Sequence, residues 1–417
     1  MKTPTAVSGK ALGLAVNRMD ARALDVVETL VDAGHEAYIV GGGVRDLLLG
    51  AKPKDFDVAT SAEPGEVRKC FRRARLIGRR FPIVHVLFGR DFVEVTTFRA
   101  LESEARLMHE TGRILHDSSY GTLAEDALRR DFTVNALYYD PAGRQVLDFC
   151  DGLADIEAHT IRLIGDPATR YREDPVRMLR ALRFAAKLDF TLDPATEVPL
   201  AELSPLLADI PPARLFEEFA KLFLAGKAVK TYRLLVRHGL FAQLFPLTDE
   251  VRAADPEGSA ARFIEAALAD TDARIAAGDS VTSAFLFAAF LWPPLSRYAS
   301  WLHREGMGEA TAVQRALAVI LSESTRRMSI PRRFSMPMRE IIQLQTRFRY
   351  RHGKRAQTLA AHPRFRAAFD FLRLRVEAGD APDEPLEFWR RVQQADGRER
   401  ERLLASNPPG RGQSGQR

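Results

Sequence analysis

The chain contains few cysteines and no long apolar run. Its 417 residues include two cysteines, Cys70 and Cys150, which do not have the ligand spacing of a zinc site. The longest apolar run, residues 284–292, is about half the length of a membrane span and predicts a buried helix instead. Residues 12–16 are too short for the apolar core of a signal peptide. These shortages favour a cytoplasmic protein that does not enter a membrane.

Positive charge is concentrated in one part of the chain. The 61 Lys and Arg residues exceed the 55 Asp and Glu residues and give a formal net charge of +6. Residues 326–355 contain ten Lys or Arg side chains and one acid, Glu340, so this window carries +9 and the remainder about −3. A local basic patch indicates a polyanionic partner such as nucleic acid, although a solvated helix face gives the same pattern.

The pattern of apolar residues divides the chain. Residues 1–20 are predicted to be flexible, and residues 21–160 are predicted to form a head in which helices and strands alternate. The strands are expected at 37–40, 57–60, 82–88 and 92–98. The helices are expected at 21–33, 176–188, 213–225, 230–237 and 259–276. The expected fold class is therefore α+β, with a helical region after the head.

The helical region divides further. We expect a neck at 161–248, a body at 249–345 and a basic RNA-binding region at 346–417, whose tail after Asn407 is predicted to be disordered. Paired prolines at 211–212 and 293–294 are predicted to separate helices, because proline disrupts a helix interior.

The most informative stretch is residues 38–60, YIVGGGVRDLLLGAKPKDFDVAT. The Gly41-Gly42-Gly43 run lies where a strand is predicted to turn into a helix, so its backbone N–H groups can approach a phosphate, and Arg45 follows. Asp55 and Asp57 are two residues apart on a predicted strand and project to one face. Paired carboxylates suit two Mg²⁺ ions. Taken singly, the glycines also fit a tight turn and the acids fit a capped strand start.

Two further segments place polar residues among apolar ones. Glu94 lies mid-strand in FVEVTTFR, where it becomes a third metal ligand if its strand neighbours that of Asp57; otherwise it faces solvent. In RRDFTVNAL, residues 129–137, the arginines Arg129 and Arg130 can bind phosphate and Asp131 can accept from a ribose hydroxyl. A helix C-terminus also favours cations, so this segment has a purely structural explanation as well.

Residues 170–188 combine a helix start with a row of arginines. Asp174-Pro175 is an ordinary helix start, while Asp174 and Arg177, three residues apart, can lie side by side. Such an acceptor and donor together offer a nucleobase edge a complementary surface. Arg180 and Arg183 continue the arginine row at the same spacing and are candidate RNA contacts.

Two other basic segments are candidate RNA surfaces. Arg347, Arg349 and Arg351 interleave with Phe348 and Tyr350, so bases can stack there; equally, these rings belong to a core, as we expect for Phe365. The segment between residues 67 and 90 has no acid and can attract RNA by charge, or it is simply solvated. Its basic residues are Arg68, Lys69, Arg72, Arg73, Arg75, Arg79 and Arg80.

Four of these blocks together resemble a known family. GGGVRDLLLGAKPKDFDVAT, EVTTFR, RRDFTVNAL and REDPVRMLRALRFAAKL occur in the order and at the spacing of the class II nucleotidyltransferases of the polymerase beta superfamily. That family contains bacterial poly(A) polymerases and CCA-adding enzymes. The resemblance is continuous from about Glu36 to Pro246 and implies a polymerase-beta-like head with a mixed sheet, followed by a helical neck and body.

The resemblance also implies roles for individual residues. It assigns catalysis to Asp55, Asp57, Glu94 and Asp131, the first three as ligands of two Mg²⁺ ions, with Mn²⁺ as a substitute. It implies an ATP site in which Glu173 belongs to the nucleotide-selecting motif with Asp174 and Arg177. The other nucleotide-binding positions are Gly41, Gly42, Arg45, Arg130 and Asp131.

Residues 76–89, LIGRRFPIVHVLFG, resemble the poly(A) polymerase branch, and the HGTV-like segment of CCA-adding enzymes is missing. The implied activity is template-independent addition of AMP from ATP to RNA 3′ ends, in mRNA processing and RNA decay. RNA-decay proteins are the implied protein partners of a monomeric enzyme. The alternatives are a CCA-adding tRNA nucleotidyltransferase and, in another class, a non-catalytic RNA-binding protein, which would be expected to lose the acids retained here.

Overall fold

A computed structural model describes residues 3–78, 82–101, 107–108, 114–116 and 119–405. The chain divides into two compact units, residues 1–206 and 207–417, and each unit is described by itself. Three of the sequence predictions lie outside the described residues: the roles of Arg79 and Arg80, and the disordered tail after Asn407.

The first unit contains all the strands of the described chain. In chain order they are β1 Thr5–Ser8, β2 Ala37–Val40, β3 Asp57–Thr60, β4 Ala74–Ile77, β5 Ile83–Phe88, β6 Asp91–Thr97, β7 Leu107–Met108, β8 Ile114–His116, β9 Leu137–Asp140, β10 Gln145–Asp148, β11 Thr160–Ile161 and β12 Thr191–Leu192. Eight of them form one sheet in the order β1-β10-β9-β2-β3-β6-β5-β4. The β3–β6 pair is parallel, whereas its flanking pairs are antiparallel. The predicted mixed sheet and α+β class are therefore confirmed.

The helices of the first unit are short except for two. They are α1 Ala21–Asp32, α2 Gly42–Leu48, α3 Pro64–Cys70, α4 Leu123–Arg129, α5 Gly152–Glu157, α6 Pro167–Glu173, α7 Val176–Leu188, α8 Pro194–Glu197 and α9 Pro199–Leu203. The predicted helices at 21–33 and 176–188 and all four predicted strands are confirmed, with ends that differ by at most one residue.

Both faces of the sheet contribute to apolar cores, which fix its position. On one face, Val26 and Leu30 of α1 pack in a cluster with Val58, Val84 and Val95 of three neighbouring strands. A second cluster contains Val40 and Ala59 from the central strands, with Ala127 of α4 and Tyr138 of β9. Alternation along each strand explains this arrangement, because successive side chains project to opposite faces. The central strands are thus rigidly held at the point where the acids lie.

The predicted flexible N-terminus is wrong for residues 5–8. These residues form β1, which pairs in antiparallel fashion with β10 from Thr5↔Asp148 to Ser8↔Gln145. The strand is almost entirely exposed, so its sequence carries no alternation that would indicate a buried face. Backbone hydrogen bonds to β10, which sequence patterning does not report, place the segment at the edge of the sheet.

The second unit is helical throughout its described residues. Its helices are α10 Pro212–Phe223, α11 Ala228–Arg237, α12 Leu240–Leu244, α13 Pro246–Ala254, α14 Ser259–Ala276, α15 Ser283–Arg304, α16 Glu309–Arg327, α17 Arg332–Leu344, α18 Gly353–Ala360, α19 Phe365–Glu377, α20 Asp383–Gln394 and α21 Gly397–Leu404. The predicted helices at 213–225, 230–237 and 259–276 are confirmed, with shifts of up to two residues. The apolar run 284–292 lies buried within α15, as expected.

The prediction that Pro293-Pro294 separates two helices is wrong, since α15 continues through both residues to Arg304. A proline interrupts a helix by removing an N–H donor and by steric conflict with the preceding turn. Here both prolines are buried among the apolar side chains of α15, and tertiary packing outweighs the local cost. By contrast, Pro211-Pro212 does mark a helix start, with Pro212 as the first residue of α10. None of the described helices is both long and apolar enough to span a membrane.

Candidate active site

Two acids meet at the centre of the head sheet. Asp57 is the first residue of β3, and it pairs in register with Glu94 on the neighbouring parallel strand β6. Glu94 was expected to be a third metal ligand if its strand neighbours that of Asp57, and the two strands are indeed neighbours. Asp55 precedes β3 rather than belonging to it. It nevertheless keeps the strand-like alternation, since Asp55 and Asp57 are exposed and Phe56 between them is buried.

The two acids repel one another electrostatically. The pKa of Asp57 is raised to about 6, chiefly by desolvation in the surrounding protein and also by the charges of Glu94 and Asp55, while Arg130 opposes the rise. Desolvation also raises the pKa of the Glu94 carboxyl. Desolvation and mutual repulsion make it costly for these carboxylates to be ionised. A bound cation offsets that cost, so the site favours cation binding.

The glycine run shapes the backbone that carries these acids. Gly41 has φ +77° and ψ −136°, a left-handed region that residues with a side chain rarely adopt. A Cβ added at Gly43 would lie 2.8 Å from the Phe56 ring and 3.2 Å from the Asp55 carbonyl oxygen. Glycine is thus required at 43 so that helix α2 can approach the segment that carries Asp55 and Asp57.

A pocket of about 290 Å³ opens beside the acids. It collects side chains from four sequence blocks that are far apart in the chain. Its lining residues are Val40, Asp57, Glu94, Thr96, Arg99, Asp126, Arg129, Arg130, Glu173, Asp174 and Arg177. Five predicted site residues therefore lie together there, along with Glu173. Gly41, Gly42, Arg45, Asp55, Asp131, Arg180 and Arg183 are not among these lining residues.

Arg130 is held in place by a buried acid and a buried phenol. Its Nε donates to the Tyr138 hydroxyl at 2.8 Å and to Asp126 Oδ2 at 3.2 Å, and the Tyr138 hydroxyl donates to the same carboxylate oxygen at 2.6 Å. Burial works against the charge, but Tyr138 and Asp126 hold the pKa of Arg130 above its usual value. The guanidinium is a fixed cation in the pocket wall.

Arg170 lies behind the pocket and forms hydrogen bonds to residues of two of its walls. It is 9% exposed, and its Nη2 donates to the carbonyl oxygens of Arg129 and Arg130 at 2.6 and 2.7 Å. Its Nη1 donates to Glu173 Oε2 at 2.7 Å, and its Nε donates to the Ile164 carbonyl. Burial lowers the pKa of Arg170 to about 10, with Arg177 adding to the effect and Glu173 opposing it. One guanidinium thus fixes the arginine segment relative to the start of α7.

Asp174 and Arg177 both line the pocket, as the sequence predicts, but Arg177 has a different ion-pair partner. Its Nη1 donates to Glu173 Oε2 at 2.9 Å and to the Arg170 carbonyl oxygen at 2.8 Å. Asp174 Oδ1 accepts the backbone N–H of Val176, the first residue of α7, at 3.3 Å, although Pro175 rather than Asp174 occupies the N-cap position. Glu173 therefore orients Arg177, whereas Asp174 bonds to the start of the helix and lines the pocket.

Asp131 lies in an ion-paired cluster instead. It accepts a hydrogen bond from Arg180 Nε at 2.6 Å and from Asn135 Nδ2 at 3.3 Å. Burial alone would raise its pKa, but the attraction of Arg180 and these hydrogen bonds lower it. The guanidiniums of Arg180 and Arg183 lie 5.3 and 4.7 Å from the ring centroid of Phe184.

Arg45 belongs to the same cluster. It is 2% exposed, donates to Asn135 Oδ1 and to Asp46 Oδ1 at 2.5 Å each, and lies 5.2 Å from the Phe184 centroid. This geometry favours a structural role that anchors α2. Contact of Arg45 with a triphosphate, and of Asp131 with a ribose, stays a prediction.

The candidate RNA residues of the second unit are dispersed. Arg349 pairs with Glu309 and contacts the Tyr350 hydroxyl, while Arg351 pairs with Glu384 at 2.6 Å. Arg347 is exposed and forms no side-chain bond with any residue in the described part of the chain. Phe348 and Phe365 are both core residues that pack around Trp389. The expectation for Phe365 is thus confirmed, and the open question for Phe348 is settled in favour of core.

Sequence reasoning missed several pocket residues. Arg99 ends the EVTTFR block and Asp126 precedes Arg130 by four residues, which on a helix is the spacing of an ion pair. That spacing was a usable signal for Asp126. Behind the pocket, helical spacing pairs Arg170 with Glu173, but no sequence signal indicates its bonds to the carbonyls of Arg129 and Arg130, some forty residues away.

Carboxylates are the donors at the site that suit a hard divalent cation. Among the described residues, no group of three or more His, Cys, Asp or Glu side chains is already arranged to hold a metal ion. Mg²⁺ in phosphoryl-transfer sites is commonly held by one or two carboxylates together with waters and substrate phosphates. The desolvated, mutually repelling Asp57 and Glu94 fit such a shared site, with Asp55 nearby in the chain.

Comparison with known proteins identifies three family models along the chain. The model described as "Poly A polymerase head domain" matches residues 37–162, and "Probable RNA and SrmB-binding site of polymerase A" matches 189–251. "Polymerase A arginine-rich C-terminus" matches residues 305–417. Together these three matches cover most of the chain, including the pocket residues from Val40 to Arg130, whereas Glu173, Asp174 and Arg177 lie between the first two matches.

Curated relatives extend the match. The chain is 48% identical over 390 residues to poly(A) polymerase I of Haemophilus influenzae, covering 92% of this chain and 86% of the relative. It is 48% identical to poly(A) polymerase I of Salmonella typhi, covering 87% and 80%. A CCA-adding enzyme of Lactobacillus johnsonii is 40% identical over 218 residues, covering 52% of this chain and 54% of the relative.

Solved structures agree with the fold. The Bacillus stearothermophilus CCA-adding enzyme in complex with CTP is 26% identical, with a TM-score of 0.55 over 94% of this chain and 88% of that one. The Thermotoga maritima CCA-adding enzyme complexed with tRNA is 19% identical, with a TM-score of 0.59 over 94% and 85%. The latter likeness concerns the fold alone.

Proposed function

Because the chain belongs to the poly(A) polymerase I family, we propose that it adds AMP from ATP to RNA 3′ ends in the pocket beside Asp57 and Glu94. Its activity is that of a polynucleotide adenylyltransferase, as in the relatives that match most of its length. The observation that carries the proposal is the convergence of paired acids, three arginines and the Glu173–Arg177 pair on one pocket.

We propose that Asp57 and Glu94, with Asp55, hold two Mg²⁺ ions. When bound, these ions would favour deprotonation of the RNA 3′-hydroxyl and neutralise charge on the leaving pyrophosphate. The Asp57 carboxylate is largely ionised at neutral pH, since the pKa of Asp57 is about 6. The task of the carboxylates is to fix the position of the reacting groups, and no covalent enzyme intermediate is required.

The arginines of the pocket are the proposed triphosphate contacts. Arg130 is fixed by Asp126 and Tyr138, and Arg129 donates its Nη1 to the Ala100 carbonyl at 2.5 Å. Guanidiniums whose orientation is set before the substrate binds stabilise developing charge without rearrangement during the reaction. Arg99 lies at the same pocket and adds a third positive charge.

The start of α7 is the proposed base-selecting wall. The Glu173 carboxylate holds Arg177, so its remaining guanidinium donors have a defined direction, and Asp174 supplies an acceptor beside it. A base edge with one donor and one acceptor pairs with this surface, which suits adenine. The specific rejection of CTP needs further contacts around the base.

The test is nucleotide incorporation into an unstructured RNA with each of the four NTPs supplied separately with Mg²⁺. We expect AMP addition with release of pyrophosphate and much slower use of the other nucleotides. Efficient CTP incorporation into tRNA lacking its CCA end would instead assign the chain to the CCA-adding branch. Absence of pyrophosphate release with every RNA and NTP would overturn the enzymatic assignment. Roles in mRNA processing and RNA decay, decay-protein partners, the monomeric state and the cytoplasmic location stay predictions from the sequence.

A further inference from the structure

A row of side chains runs from the acids to the edge of the head sheet. Strand register pairs Asp57 with Glu94, Glu94 with His85, and His85 with Arg75. Residues directly opposite one another on neighbouring strands project to the same face. The row therefore spans four strands, β3, β6, β5 and β4, over about 14 Å at the usual strand spacing.

The middle of this row is an exposed aromatic stack. Phe92 precedes Glu94 by two residues, so both project to the same face. Its ring stacks on His85 with centroids 4.0 Å apart and planes within 8°, and the residue is 53% exposed. A large ring left in water beside a reaction centre has the geometry of a platform on which a nucleobase stacks.

The edge of the row carries an available positive charge. Arg75 is exposed on β4, and its guanidinium forms no hydrogen bond or ion pair with the residues that the structure describes. Arg72 and Arg73, just before this strand, are exposed as well. Positive charge next to an aromatic platform is the combination by which proteins bind a single nucleic acid strand without reading its sequence.

The row lies on the far side of the acids from the nucleotide pocket. No residue of β4 or β5 lines that pocket, which extends from Asp57 and Glu94 towards Arg99, Arg129 and Arg130. In phosphoryl transfer the attacking and leaving oxygens lie roughly in line. A triphosphate held by these arginines therefore requires the RNA 3′-hydroxyl to approach from the opposite side.

We propose that the row is the binding site for the last nucleotides of the RNA, with a base stacked on Phe92 and a backbone phosphate paired with Arg75. This inference rests on the proposed function and adds to it the entry side of the RNA. The site contacts the flat face of a base and the charge of a phosphate, which RNAs of every sequence present. It therefore accepts RNA 3′ ends of varied sequence. An ATP base is already accounted for by the wall at Asp174 and Arg177.

The experiment measures both catalysis and binding. Phe92→Ala, Phe92→Trp and Arg75→Ala are assayed for KM and kcat with RNA and with ATP, and for equilibrium binding of a 3′-deoxy-terminated oligoadenylate that cannot react. The matched controls are Val31→Ala, an exposed apolar residue of α1, and Lys10→Ala, an exposed cation beyond β1 at the opposite edge of the sheet. Thermal unfolding of each variant confirms that the fold is retained.

Phe92→Ala is expected to raise the KM for RNA and the dissociation constant about ten-fold, with KM for ATP unchanged, because one base loses its stacking partner. Phe92→Trp should restore both values. Arg75→Ala should weaken binding and reduce the salt dependence by about one phosphate contact. Unchanged RNA binding in Phe92→Ala and Arg75→Ala, with active wild-type protein, would refute the RNA site alone. An effect on KM for ATP alone would assign the platform to the nucleotide, whereas inactivity of the wild-type protein would refute the proposed function itself.

Discussion

The head pocket and the C-terminal arginine-rich region contain similar residues in opposite arrangements. In the head, Arg99, Arg130 and Arg177 come from distant parts of the sequence and converge on one cavity. In the C-terminal region, arginines that are close in sequence form separate ion pairs with different acids, Arg349 with Glu309 and Arg351 with Glu384. The density of arginine along a chain therefore does not predict a site, whereas convergence in space does.

The two regions also differ in what their aromatic rings do. Phe92 of the head is exposed and stacked beside the acids. Phe348, in the arginine-rich region, is 1% exposed and packs its ring against Trp389. Alternation of arginine and aromatic residues arises in the second case because one side of the segment is core and the other is solvent. The following predictions test whether convergence is the property that separates the two regions.

The largest effect is expected for Asp57→Ala. Loss of this carboxylate should reduce AMP incorporation by more than about a thousand-fold, because both metal binding and positioning of the reacting groups depend on it. The unfolding temperature should not fall, since the variant relieves the repulsion from Glu94 and Asp55. Incorporation assays and thermal unfolding, with the exposed acid Asp25→Ala on α1 as control, check this. An active Asp57→Ala protein would remove the acids from the mechanism.

A smaller but still large effect is expected for Arg170→Lys. Lysine keeps the charge beside Glu173, but it cannot also serve the carbonyls of Arg129 and Arg130 in the same fork geometry. We expect kcat/KM for ATP to fall about 100-fold, because the phosphate-binding and base-selecting walls lose their shared anchor. The loss should be in the use of ATP, with RNA binding retained.

Arg172→Lys is the matched control for this prediction, since Arg172 lies exposed on the same helix. Breaking a buried ion pair outright costs about 3–5 kcal/mol, so Arg170→Met is expected to lower the free energy of unfolding as well. Equal effects of Arg170→Lys and Arg172→Lys on kcat/KM would show that Arg170 does not position the pocket.

These two residues show what the sequence could and could not predict. Asp57 was predictable because strand geometry places alternate residues on one face, and its pairing with Glu94 followed once the two strands were neighbours. The anchoring role of Arg170 was not, because only its pairing with Glu173 is local, whereas the carbonyl oxygens of Arg129 and Arg130 are brought close by the tertiary fold. The same reason explains the miss at β1, which is defined by backbone pairing to β10.

Predictions from local sequence signals also failed where tertiary packing stabilises a structure that those signals oppose. Pro293 and Pro294 carry a strong breaking signal, yet α15 continues through them in a fully buried setting. The contact of Arg45 with a phosphate is a separate case that stays a prediction, although its burial against Asn135 and Asp46 favours an anchoring role. Sequence patterns thus predicted the elements well, and they predicted side-chain partners only where spacing along a single element fixed them.

A moderate effect is expected for Tyr138→Phe. The change removes a hydroxyl that accepts from Arg130 and donates to Asp126, and it leaves a buried carboxylate with fewer donors. A lost hydrogen bond to a charged group costs about 1.5 kcal/mol, so KM for ATP should rise roughly ten-fold as Arg130 loses its fixed direction. Tyr139→Phe is the control, since Tyr139 is equally buried on the other face of β9. A normal KM in Tyr138→Phe would mean that Asp126 alone orients Arg130.

The smallest effect is expected in the C-terminal region, where Arg347 and Arg349 form a matched pair. Arg349 is engaged by Glu309 and Tyr350, whereas Arg347 is exposed without a partner in the described chain. If Arg347 contacts one RNA phosphate, Arg347→Ala should reduce the slope of log affinity against log salt by about 0.7 and weaken binding about four-fold at 0.15 M salt. Arg349→Ala should change both quantities less, because Glu309 competes with phosphate for its guanidinium. A larger effect for Arg349→Ala would show that RNA displaces these surface ion pairs. The dispersed arginines would then bind RNA together as one continuous surface.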